Sequence, residues 1–116
     1  MYIELHCASA FSFLGGASTP EALVDRAAEL GYSALALVDR NGLYGAPRFH
    51  KAARAAGLKP IIGVETYVAR RSMTDKEGKA DAQPFHLILL AQDLTGYRNL
   101  CRLVTDAHID GYYYKP

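Results

Sequence analysis

Two stretches of this chain share one punctuation, and it narrows the possible folds more than any other feature. In the first, Ser18 or Thr19 can cap a helix, Pro20 suits the first turn, Glu21 follows and Gly31 stops the run. The second spans Ala46 to Ala56, with Pro47 in its first turn and Gly57 as its stop. Each is followed almost at once by a short apolar segment: Ala34 to Val38 after the first, and about Pro60 to Val68 after the second. An uninterrupted apolar run of that length marks a strand covered on both faces. With Tyr2-Ile3-Glu4-Leu5 read as an opening strand, the order is strand, helix, strand, helix, strand, and the parallel α/β class follows.

Beyond Val68 the chain turns polar from Arg70 to Pro84, as expected of a solvated loop or hairpin tip. His86 to Ala91 restores the buried-strand pattern, and a third helix is expected from near Thr95 to about Ala107. The tail Gly111-Tyr112-Tyr113-Tyr114-Lys115-Pro116 has neither a cap nor a polar ending and reads as a cut. The length of 116 residues suits one modest domain. It is about half of a complete eight-stranded α/β barrel, which needs roughly 250 residues.

Half of the residues are hydrophobic and 22% are charged, the balance of an ordinary soluble globular protein. A formal net charge of +1 gives no global field toward nucleic acid or membranes, so any DNA contact would be local or belong to another part of a longer protein. The start lacks the basic region and long apolar stretch of a signal peptide, and no run approaches the roughly 18 apolar residues of a membrane helix. The expectation is a cytoplasmic protein with no membrane partner. Cys7 and Cys101 lie far apart without zinc-ribbon spacing and read as reduced, mostly buried thiols.

The chemistry-bearing residues sit at the ends of the apolar runs. His6 follows Tyr2 to Leu5, Asp39 follows Ala34 to Val38, Glu65 follows Ile61-Ile62-Gly63-Val64, and His86 opens Leu87 to Ala91. Side chains at one end of successive strands converge, which is how an α/β sheet or barrel builds a site. Imidazoles and carboxylates gathered there are a ligand set for zinc, manganese or iron, and such metals lower the pKa of a bound water. His6, Glu65 and His86 are therefore the candidate metal ligands. A lone strand-end histidine is more often a hydrogen-bonded structural residue than a ligand. Asp39 can alternatively accept from turn amides in Asp39-Arg40-Asn41-Gly42, a strong turn signal. Arg40 can pair with Asp39 or Glu65, fill the space of a cation and repel a divalent metal. His50 and His108 fall within helices and are expected to face solvent. Gly15-Gly16 before the first helix reads as a tight turn, with phosphate contact secondary; it lacks the lysine and spacing of a P-loop.

In combination, four motifs resemble the polymerase and histidinol phosphatase (PHP) domain, as at the N-terminus of bacterial C-family DNA polymerases. They are Glu4-Leu5-His6, Phe11 to Ser18, Val38 to Gly45 and Gly57 to Glu65, and the likeness continues through His86 to Ala91, Thr95 to Leu100 and the tail. The resemblance covers essentially the whole chain. It implies that residues 1–116 are the N-terminal, truncated portion of one PHP domain, a distorted seven-stranded β/α barrel similar to a TIM barrel. It also implies up to three divalent metals, with His6 as the first His of an HxH motif, Glu65 as the glutamate and His86 as a later His ligand. Asp39 matches the aspartate of a TDH motif, a neighbour more than a ligand. The sequence departs from the pattern at Ala8, Gly15 and Arg40, where the family carries His, Asp and His. Departure at the HxH and TDH positions resembles the error-prone polymerases and implies a degenerate metal site.

The leading reading is thus a mainly structural fragment of an error-prone, translesion or repair polymerase. Its partner would be the remainder of the polymerase chain, with DNA reached through that parent and nucleotidyl transfer done elsewhere by a magnesium-dependent site. The fragment alone is expected to be inactive. One alternative is a metal-dependent phosphoesterase or 3'-5' proofreading exonuclease using His6, Glu65 and His86. Another is a self-associating module, dimerising through exposed barrel edges.

Overall fold

The computed structural model of the chain describes residues 1–79 and 82–116. Its elements run α1 (Pro20–Glu29), β1 (Ala34–Arg40), α2 (Ala46–Ala55), β2 (Lys59–Val68), β3 (Phe85–Leu90) and α3 (Leu94–Ile109). The three strands form one sheet in the order β1-β2-β3. β1 and β2 are parallel, joined across α2, with Asp39 opposite Val64 and Arg40 opposite Glu65. β2 and β3 are antiparallel, with Tyr67 opposite His86 and Gly63 opposite Leu90.

The helix punctuation acts as the sequence predicts. Thr19 accepts from the Ala22 amide at 3.2 Å to cap α1, and Pro20 opens the helix. Gly31 and Gly57 lie just past α1 and α2 at φ 78° and 77°, a left-handed conformation in which a side chain would be strained. α3 starts one residue earlier than expected because Asp93 caps it, accepting from the Gly96 amide at 2.9 Å. The core lies between the sheet and the first two helices, where Phe49 and Ala53 of α2 meet Val24 and Ala27 of α1 over Leu35, Leu37 and Leu58. Arg48 reinforces the helix pair with two bonds to Glu21, at 2.7 and 2.8 Å.

Two expectations are corrected. Residues 2–5 are not a ladder strand. Glu4 and Cys7 lie along β1 and accept from the amides of Ala36 and Val38, and only Cys7 forms a bridge, to Leu37. The local reason is that Glu4 turns back on its own segment, accepting from the Tyr2 hydroxyl at 2.6 Å and the His6 amide at 2.8 Å. The run from His86 is a strand, yet not a buried one: Phe85, Leu87 and Leu90 are exposed, because no described element covers that edge of the sheet. β3 runs antiparallel to β2 because the polar segment after Val68 returns the chain as a hairpin, one of the two forms expected of it. Residues 80 and 81 of that expected loop lie outside the described residues.

Candidate functional site

Strand alternation sends Asp39 and Arg40 to opposite faces of the sheet, and this separates the candidate residues into two groups. Asp39 is 2% exposed and anchors the loop that leads into α1. Its carboxylate accepts from the Ser9 amide at 2.8 Å, from the Ser9 hydroxyl at 2.9 Å and from the Ser12 hydroxyl at 2.9 Å. Ser12 in turn accepts from the Arg40 amide at 2.9 Å, so the loop is stitched to the end of β1 from both sides. The partners are therefore serines 30 and 27 residues upstream, not the turn amides that the local sequence suggests. Gly16 completes the packing, because a Cβ there would lie 2.2 Å from the Ser9 carbonyl oxygen.

On the other face, Glu65 gathers the remaining candidates. It is 8% exposed, and its two oxygens accept from different histidines: His86 Nδ1 at 3.1 Å and His6 Nε2 at 3.3 Å. The two imidazoles are about half exposed, so the carboxylate forms the floor of the cluster and the rings its rim. The Tyr67 ring packs 4.9 Å from that of His86, and the Tyr67 amide donates to Asn41 Oδ1 at 2.9 Å. Asn41 itself sits at φ 54° in the Asn-Gly turn after β1. Arg40 approaches Glu65 with Nε 4.0 Å from Oε2. Of the residues predicted for the site, the structure brings together His6, Glu65 and His86 and places Asp39 apart from them. His50 is exposed, as expected, whereas His108 is half-buried and lies 3.3 Å from the Tyr44 hydroxyl.

Burial pushes the Glu65 carboxyl upward, but the bonds from His86 and His6 and the charge of Arg40 outweigh it and hold the group below its ordinary value. A depressed carboxyl stabilises the folded state above its unfolded value and loses that contribution as the pH falls through the folded one. Urea unfolding between about pH 6 and about pH 3 is therefore expected to show wild-type stability falling below roughly pH 4.3, with a shallower fall for Glu65→Gln. Equal slopes would show that Glu65 contributes nothing to the acid limb.

A divalent metal does not fit this arrangement as it stands. An ionised carboxylate only accepts, so the imidazole nitrogens that face Glu65 must carry their protons, and a protonated nitrogen has no lone pair for a metal. Arg40 adds a positive charge at the same carboxylate. Among the described residues, no group of three or more His, Cys, Asp and Glu side chains is disposed to hold a metal ion. Two cavities of about 380 and 570 Å³ lie elsewhere, and neither is lined by His6, Arg40, Glu65 or His86.

The chain as a whole has counterparts among known proteins. The model of the PHP domain matches residues 4–116. The chain belongs to the PHP family. Among PHP relatives, the error-prone DNA polymerase of Anaeromyxobacter sp. (strain K) is 58% identical over 107 residues, which is 92% of this chain and 9% of that protein. The DNA polymerase III subunit alpha of Treponema pallidum is 47% identical over 116 residues, 99% of this chain and 10% of that protein. This PHP chain thus spans about a tenth of the length of these relatives. Its fold is similar to that of an amidohydrolase from Chromobacterium violaceum with bound sulfate and no metal, at a TM-score of 0.61 and 27% identity over 90% of this chain and 34% of the other.

Sequence reasoning missed Ser9, Ser12 and Tyr67. Ser9 and Ser12 carried no pattern of their own. For Tyr67 the signal was available in the alternation along β2, which puts positions 63, 65 and 67 on one face.

Proposed function

We propose that this chain is the N-terminal part of the PHP domain of a bacterial C-family DNA polymerase of the error-prone, translesion type, and that its role there is structural. The observation that carries the reading is the 58% identity to an error-prone polymerase over 92% of the chain. Arg40 at Glu65 supports a retained fold without hydrolysis, since the cluster is closed on itself by hydrogen bonds.

The exposed apolar side chains of β3 and α3, among them Phe85, Leu87, Leu94 and Leu103, favour a larger assembly. In this proposal later strands of the same parent chain extend the sheet from β3 into a distorted seven-stranded barrel, and the polymerase core packs against it. DNA is contacted through the parent, in the cytoplasm, and nucleotidyl transfer is carried out with magnesium in another domain. The same free edge would serve a second copy if the parent did not cover it. Template-directed primer extension by the full-length parent is the test. Extension of a primed template is expected, and a full-length protein that extends no primer would contradict the polymerase reading.

A further inference from the structure

Arg40 ends β1 directly opposite Glu65 of β2, on the same face of the sheet. Its Nε stands 4.0 Å from Glu65 Oε2, beyond hydrogen-bond reach, and that nitrogen is buried with no hydrogen-bond partner. Leaving a buried guanidinium nitrogen unpaired is unfavourable, so charge and not a bond must account for its position. Glu65 supplies the need for charge. Both of its oxygens accept from imidazoles, yet no other arginine or lysine lies within ion-pair distance among the described residues. The far end of the guanidinium lies against Gly15, where a Cβ would come within 3.3 Å of one terminal nitrogen. A bare backbone at that position gives the cation its space.

We propose that Arg40 is a built-in cation: it takes the electrostatic place of a divalent metal at Glu65 and excludes such a metal from the His6–Glu65–His86 cluster. The inference rests on the structural reading of this domain. A divalent ion on Glu65 would stand within a few ångströms of the guanidinium, and two positive charges at that separation repel strongly in a partly buried site.

The test is calorimetric titration of the chelator-treated full-length chain with Zn²⁺ or Mn²⁺ alone, paired with thermal melting in the presence and absence of the ion. Wild type and Arg40→Lys are expected to show no uptake at the cluster and no shift in melting. Arg40→Gln is expected to melt lower in chelator, to bind one ion at least about tenfold more tightly than wild type, and to recover melting temperature on binding. Adding Glu65→Gln to that variant is expected to abolish the gain. Arg40→Met, which keeps the aliphatic stem, is the parallel variant if Arg40→Gln does not fold. Uptake by wild type as tight as by the variant, abolished by Glu65→Gln, would overturn the proposal and the metal-free reading with it. Uptake by neither would overturn the role of Arg40 alone and leave that reading standing.

Discussion

Asp39→Ala is expected to destabilise the fold by about 4 kcal/mol, because one substitution removes the acceptor for the Ser9 amide, the Ser9 hydroxyl and the Ser12 hydroxyl. Bonds to a carboxylate are among the stronger ones, and the deserted donors stay buried: Ser9 is 0% exposed and Ser12 3%. The loop from Ser9 to Gly16 would lose its anchor to β1, and Arg40 would lose the Ser12 hydroxyl that fixes its amide. Asp39→Asn keeps one acceptor oxygen and is expected to cost roughly half as much. Chemical denaturation of the three proteins measures the series. A cost for Asp39→Ala below about 1 kcal/mol would show that the serines find other partners.

The second large effect is expected at Phe49. Its ring is 0% exposed and lies at the junction of α1, α2 and the sheet, against the cluster that contains Val24, Leu35, Leu37 and Leu58. Truncation to alanine removes the apolar surface and leaves a cavity that these neighbours only partly fill, a loss of about 4 kcal/mol. For a domain of this size that lowers the melting temperature by roughly 20 °C. Phe49→Leu, which keeps most of the volume, is expected to lose less than half as much. The two truncations act on the same face of β1 by different means: Phe49 through packing over Leu35 and Leu37, Asp39 through polar satisfaction.

The parts of the fold that could be read from sequence are those decided locally. Thr19, Pro20 and Gly31 bound α1 by capping, a fixed proline φ and left-handed glycine geometry, all properties of a few adjacent residues. The parallel pairing of β1 and β2 follows from two apolar runs separated by a helix. The exposure of β3 could not be read, because an apolar run records that a cover is needed, not whether a described residue supplies it. The segment before His6 was misread for a similar reason, since a short apolar run fits a strand and also a stretch that lends β1 only the carbonyl of Glu4.

The convergence of His6, Glu65 and His86 was legible from their positions at the ends of apolar runs, whereas for Arg40 the sequence left Asp39 and Glu65 open as partners and only the structure puts it beside Glu65. The separation of Asp39 from that cluster was implicit in strand alternation, because neighbours on a strand face opposite ways. Its serine partners were not legible. Hydrogen bonds spanning 27 and 30 residues depend on how the loop before α1 folds back, and serine has no periodic signature.

In the proposed reading this PHP chain keeps the family fold while its His–Glu–His cluster serves structure and not hydrolysis. Elemental metal analysis of the purified full-length protein, combined with hydrolysis of a model phosphodiester in the presence of added Mn²⁺ or Zn²⁺, tests it most directly. Less than stoichiometric metal at the cluster is expected, with no hydrolysis that depends on His6, so that wild type and His6→Ala behave alike. Stoichiometric, tightly held metal together with hydrolysis that disappears in His6→Ala would contradict it.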